Sequence, residues 1–237
     1  GALACPLFPF HSVLVPLCAF FSKPYIIIAR SSNISKSTAI NQNVLSNIMS
    51  FLYILSALNG FEVIVGYSDM LSLPMAAVSN AHFGCGWYNN LKAFSEMNFR
   101  PSSGGRRPRK RYTSGTLMSS LLLLPEIETL NRMNLLPKIE SESPFNSIIQ
   151  PNLNDAGWTD EVSCLHNWHV LGSLLNEIER QGSYTNRLNY IISKIVSASE
   201  IYRTINERGF QLDAKSGGSH LNMWLAAISD FRTQAGI

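Results

Sequence analysis

The chain has 237 residues, enough for one large domain or two small ones around a sizeable core. Charged residues make up only 15%, against about 25% in an average globular domain, while 46% are hydrophobic and 10% aromatic. That balance excludes an intrinsically disordered chain, which needs high net charge and few aromatics.

The first 21 residues are apolar and uncharged. They lack a basic n-region, and Pro6, Pro9 and Pro16 break any signal-peptide helix, so a secretory signal is not expected. No apolar run reaches the roughly 18–20 residues of a membrane span; Val13 to Phe21 comes nearest and Pro16 interrupts it. A chain that does not begin with Met reads as processed, truncated or excised. Cys5, Cys18, Cys85 and Cys164 are scattered and form no CxxC pair, which predicts reduced, buried thiols and a cytoplasmic setting.

Three short apolar runs predict strands: Tyr25–Ala29, Phe61–Val65 and Ala81–Cys85, with Val13–Val15 a weaker fourth. The first two are almost continuously apolar, as strands buried on both faces are. Between the first and second lies an amphipathic helix carrying Val44, Leu45, Ile48, Leu52, Leu55 and Leu58, stopped by Asn59-Gly60. A shorter helix fits Met70–Ser79, and another fits Asn90–Met97. The order β-α-β-α-β-α predicts a parallel sheet with right-handed crossovers. About 100 residues of this kind make either the second half of a TIM-like (β/α)₈ barrel or a small open sheet.

Residues 100–112 read as a loop, Leu117–Leu124 as an apolar stretch, Pro125–Met133 as a short helix, and Ser143–Asp160 as a linker. Three helices follow. The first spans about Asp160–Gln181, with Val162, Leu165, Trp168, Leu171, Leu175 and Ile178 on one stripe. The second spans about Tyr184–Arg208, and the third starts at Ser219 as N-cap. They form a small bundle or pack onto the sheet. The expected fold class is thus α/β with parallel β-α units followed by a C-terminal helical bundle. Its parts are a parallel-sheet part over residues 1–99, a basic loop and linker over 100–158, and a three-helix part over 159–237.

In parallel α/β folds, ligands bind beyond the carboxyl ends of the strands. Here those ends supply Arg30 with Ser31 to Asn33, then Tyr67, Ser68 and Asp69, then Trp87, Tyr88, Asn89 and Asn90. Asp69 is the candidate general base or hydrogen-bond acceptor and Arg30 the candidate anion clamp, both taken as catalytic. Tyr67, Trp87 and Asn89 form a polar or stacking rim. The bland alternative is that every strand must end in polar loop residues. On the functional reading Asp69→Asn abolishes activity and leaves the fold intact.

A second candidate is the basic run. Arg100, Arg106, Arg107, Arg109, Lys110 and Arg111 carry six positive charges with no acid among them; without them 13 basic residues face 16 acidic ones, so the net charge of +3 becomes −3. Such a cluster repels itself unless an anion or an acidic surface of the same chain lies near. Arg106, Arg107, Arg109, Lys110 and Arg111 are therefore candidates for phosphate or nucleic-acid contact, with Tyr112 stacking on a base. The alternatives are a solvated loop or pairing with Glu126 and Glu128.

Other signals are weak. Cys164, His166 and His169 have zinc-like residue types, but i and i+2 on a helix diverge by about 200° and no second cluster completes a site, so no metal is expected. Cys85 between Gly84 and Gly86 lacks a local base, because His82 points to the opposite face of its strand, and only a His folding back, such as His11 or His220, could serve. Gly217-Gly218-Ser219-His220 can bind an anion at a helix start, but a turn and cap explain it equally. No GxSxG, Walker A or GxGxxG motif is present, and no cofactor is called for. Two function classes remain. One is a nucleotide- or nucleic-acid-associated barrel-like α/β protein with an enzymatic site on the strand-end rim. The other is a non-catalytic protein–protein interaction module, a homo-oligomer or a subunit of a larger assembly.

Overall fold

A computed structural model describes residues 23–30, 38–87, 91–95, 109–148 and 157–237. Strands β1 (Tyr25–Ile27), β3 (Ile64–Gly66) and β4 (His82–Phe83) form a three-stranded parallel sheet in the order β1-β3-β4. Tyr25 pairs with Ile64, and Ile64 in turn with His82. The Tyr25 ring lies over Gly66, so a side chain there would push the exposed hydroxyl end of that ring aside. β2 (Ala29–Arg30) continues from β1 and pairs in parallel with β5 (Phe94–Ser95). The parallel strands close no barrel among the described residues.

Helix α1 (Gln42–Leu52) runs on through a wider turn at Tyr53–Leu58. The side chain of Asn41 caps it, accepting from the backbone N–H groups of Asn43 and Val44. Gly60, at φ +69°, ends the segment in the left-handed region, as the sequence predicts. Leu45, Met49, Leu52 and Leu55 face the core, whereas Val44 and Leu58 of the expected stripe are exposed. A turn at Asp69–Leu71 enters helix α2 (Ser72–Ala76), whose five residues are all buried.

Two expectations are corrected in the middle of the chain. Of the helix expected over Asn90–Met97, the described residues 91–95 are not helical: Phe94–Ser95 is strand β5, and Lys92 just before it points inward. The loop expected through Tyr112 ends sooner. Arg111–Ser114 is strand β6, in an antiparallel hairpin with β7 (Ser119–Leu122). A kinked turn, Leu123–Ile127, leads to the short helices α3 (Glu128–Arg132) and α4 (Leu136–Ile139). Within the expected linker, Trp158 is buried and its indole N–H donates to the Arg111 carbonyl.

The three C-terminal helices are α5 (Asp160–Glu179), α6 (Tyr184–Glu207) and α7 (Ser219–Ala235). Thr159 and Ser183 cap the first two. Gly218 takes the cap position of α7, so Ser219 is its first residue rather than its cap. These helices do not stand apart as a bundle. α7 packs on α1, α5 packs on α2 and β6, and one hydrophobic cluster runs from Leu45 to Phe231. Hydrogen bonds from Gln42 Nε2 to Asp230 Oδ2 (2.7 Å) and from Trp224 Nε1 to the Thr38 carbonyl (3.2 Å) tie the two ends of this core. No helix among the described residues is long and apolar enough to cross a membrane.

Candidate active site at the carboxyl edge of the strands

Six elements deliver polar side chains to one buried point beyond the carboxyl ends of β3 and β4. Asp69 follows β3, Cys85 follows β4, and Lys92 precedes β5. Thr113 comes from β6, Ser120 from β7 and Asn167 from α5. Asp69 is 1% exposed and Lys92 7%. Lys92 Nζ lies 3.8 Å from Asp69 Oδ1 and donates to Asn167 Oδ1 (2.8 Å) and Ser120 Oγ (3.3 Å). The Asn167 oxygen also accepts from Thr113 Oγ1 (2.7 Å), while its amide nitrogen donates toward Asp69 Oδ1 (3.4 Å) and Cys85 Sγ (3.7 Å). Both ends of the Asn167 amide are therefore engaged, which fixes its orientation.

The backbone leading into the cluster is strained. Tyr67 (φ +56°) and Asp69 (φ +41°) are non-glycine residues in the left-handed region. Each costs of the order of 1 kcal/mol, and such residues concentrate at functional sites. Burial, with the Asp69 carboxylate beside it, drives the Cys85 thiol far above its ordinary range. It stays protonated and donates to Asp69 at 3.5 Å, so it is no thiolate nucleophile. His82 faces solvent beside Glu62, on the side expected.

The remaining candidates divide. Arg30 ends β2 on the same edge, with its side chain outside the described part. Tyr67 is half-buried with its ring edge-on to Phe94 (5.5 Å), and Trp87 is half-buried against Trp168 (4.9 Å). Asn89, Arg106 and Arg107 lie outside the described residues. Arg109 is exposed and Lys110 half-buried. Arg111 is turned inward: Nη1 donates to the Ser120 carbonyl (2.7 Å) and Ser216 Oγ (3.2 Å), and Nη2 lies 3.7 Å from Asp213 Oδ1. Burial lowers its pKa, while the nearby Glu126 and Asp213 carboxylates favour the charge. Pairing with an acidic surface of the same chain thus accounts for this one cation. Tyr112 is placed against the expectation for a stacking residue. It is fully buried, its ring stacks on His166 (4.5 Å), its hydroxyl accepts from the Ser141 N–H (2.7 Å), and burial pushes its pKa up to about 12.

His166 lies deeper than the sequence suggests. Its Nε2 faces the Thr113 carbonyl (2.8 Å), an acceptor only, so Nε2 carries the proton and Nδ1 accepts from Ser143 Oγ (2.9 Å). Burial pulls its pKa down to about 4, leaving a neutral ring. His169 instead lines a cleft of about 460 Å³ with Glu140, Glu177 and Lys194. The Cys164 thiol donates to the Trp87 carbonyl. Among the described residues no group of three His, Cys, Asp or Glu side chains can hold a metal ion. His220 is buried with Nε2 3.1 Å from the Met118 carbonyl, which gives it a structural place at the start of α7.

Lys92 and Asn167 are the residues that sequence reasoning missed. No family model matches the chain, and no curated protein or solved structure does so either.

Proposed function

We propose that this chain is an α/β protein that binds a phosphate-bearing ligand of the nucleotide or nucleic-acid class at the carboxyl edge of its parallel strands, with Asp69 as proton acceptor. The observation that carries this reading is the convergence of Asp69, Lys92 and Asn167 on one buried point at that edge, on strained backbone. A desolvated carboxylate beside an ammonium, both held by a fixed amide, is an arrangement suited to moving a proton, and strand ends are where α/β folds place such groups. Two backbone links support reading basic residues together with this edge. Ser95, three residues from Lys92, pairs with Arg30, and Arg111 begins the strand whose Thr113 reaches Asn167. Cys85 and Cys164 are free thiols, which suits the cytoplasmic setting of this reading.

The test is binding of labelled single-stranded and duplex DNA and RNA across a salt series. Wild type is compared with a variant carrying Ser in place of Arg106, Arg107, Arg109 and Lys110. The expected affinity falls steeply with salt, and the slope flattens in the variant by about 0.7–0.9 for each phosphate that the replaced cations had neutralised. No binding at low salt removes the reading.

One observation favours a second reading, a protein-interaction module. Tyr25 (59% exposed) and Ile27 (43%) place apolar side chains in solvent on β1, a terminal strand of its sheet among the described residues. Sedimentation over a wide concentration range would show self-association that Tyr25→Lys with Ile27→Lys abolishes. A concentration-independent monomer that co-purifies with no subunit counts against it.

A further inference from the structure

A parallel sheet is normally covered on both faces, because its crossover helices lie over them. Among the described residues only one face of the β1-β3-β4 sheet is covered. Ile26, Ile28, Val63, Val65 and Phe83 pack into the core. Successive side chains of a strand point to opposite faces, so their neighbours lie on the other side. There β1 and its continuation present Tyr25 (59% exposed), Ile27 (43% exposed) and Ala29, also exposed, with half-buried Ile64 paired beside Tyr25. A strand that faces water on one side alternates apolar with polar residues, and this one does not.

The charge on this side sits at one end and is matched within it. Glu62 lies 2.8 Å from Lys23 Nζ and 3.9 Å from His82 Nε2. The rest of the open face is apolar, so the occupant that complements it is apolar and uncharged.

The chain itself supplies such an occupant. Residues 1–22 contain no Asp, Glu, Lys or Arg, and Leu7, Phe8, Phe10, Leu14, Leu17 and Phe20 are among their apolar side chains. They lie outside the described residues and lead directly into Lys23, at the amino end of β1. Pro6, Pro9 and Pro16 favour extended backbone over helix. Extended, a segment of this length reaches about 70 Å, whereas three neighbouring strands span only about 10 Å. The covalent tether also holds the segment at an effective concentration of the order of millimolar, which a second copy in dilute solution does not match.

We infer that residues 1–22 fold back over the open face of the parallel sheet and cover Tyr25, Ile27 and Ala29. This stands whether or not the strand-end site binds phosphate. It takes the surface on which the interaction-module reading rests, so Tyr25 and Ile27 are closed to a partner while the segment is in place.

The test uses the full chain with the photo-crosslinking residue p-benzoylphenylalanine in place of Ile27, and separately in place of Tyr25. Both positions are exposed, and circular dichroism checks that the fold is retained. After irradiation, mass mapping of the digested monomer is expected to join each probe to residues 1–22, with a yield that does not change on dilution. A second version of each protein also carries Leu14→Asp and Phe20→Asp. Its crosslink to residues 1–22 is expected to fall by roughly tenfold or more, since two buried apolar contacts are replaced by charges. A crosslink between two chains makes a second copy the occupant and overturns the inference. A crosslink to any other segment, or none at all, also overturns it. So does a crosslink that survives the two aspartates, because a tethered segment that only collides with the face behaves in that way.

Discussion

Replacing Lys92 by Met is expected to lower the stability of the fold by about 3–5 kcal/mol, because it leaves the Asp69 carboxylate buried without its cation. Asp69→Asn is expected to cost a comparable amount by stranding the ammonium. The sequence alone led to the expectation that Asp69→Asn would spare the fold, and the burial of the pair reverses it. The double variant is the informative one. With both charges gone, no ion remains to be desolvated, and the loss should fall short of the sum of the single losses by at least about 1.5 kcal/mol. Urea unfolding of the four proteins with a common m-value measures this. Additive losses would mean that the two charges do not interact across 3.8 Å.

The second large effect is set by pH. His166 is held neutral, with a folded-state pKa of about 4 against an ordinary 6.5. Between those values the unfolded chain binds a proton that the folded one refuses. Its contribution is therefore complete above pH 6.5 and is lost as the pH falls through 6.5 toward 4. The full loss is about 3 kcal/mol, of which about 2 kcal/mol is gone by pH 5. Glu62, Glu161 and Glu177, whose pKa values are lowered from 4.5, act below that window and do not mask it. Unfolding free energy measured from pH 7 to pH 5 should decline in wild type and stay level in His166→Gln. A level wild-type curve would mean that the ring is not buried as the Thr113 and Ser143 contacts require.

Which parts of this were legible follows from how each residue finds its partners. The β1 and β3 runs and helix α1 declare themselves through local apolar patterning, and Gly60 marks its own turn. Asp69 stood out because an apolar strand gives way there to polar residues, at the end where α/β folds carry ligands. Lys92 was not, since nothing local tells a buried lysine from a solvated one; its partners come from α5 and β7, 75 and 28 residues away. The same long-range pairing rotated the face of α5. A stripe through Leu165 and Trp168 matches the helical period. However, His166 and Asn167 have fixed acceptors and donors inside, and satisfying them turns the two apolar residues outward. The β6–β7 hairpin escaped notice because Arg111 and Tyr112 continue a basic run, and the Gly115–Met118 connection lacks the Asn-Gly or Asp-Gly dipeptide that announces a tight turn.

The packing of α1 against α7 carries a consequence for how the chain reaches this state. Gln42 waits for Asp230 and Ser50 for Gln234, partners 188 and 184 residues further on. At about 5–20 residues per second, α1 leaves the ribosome roughly ten to forty seconds before its partner helix is made. For that interval Leu45, Met49 and Leu52 present an uncovered apolar ridge. The early α/β part is thus a client for chaperones until the last helix closes over it, and a premature stop anywhere before α7 leaves that ridge permanently open.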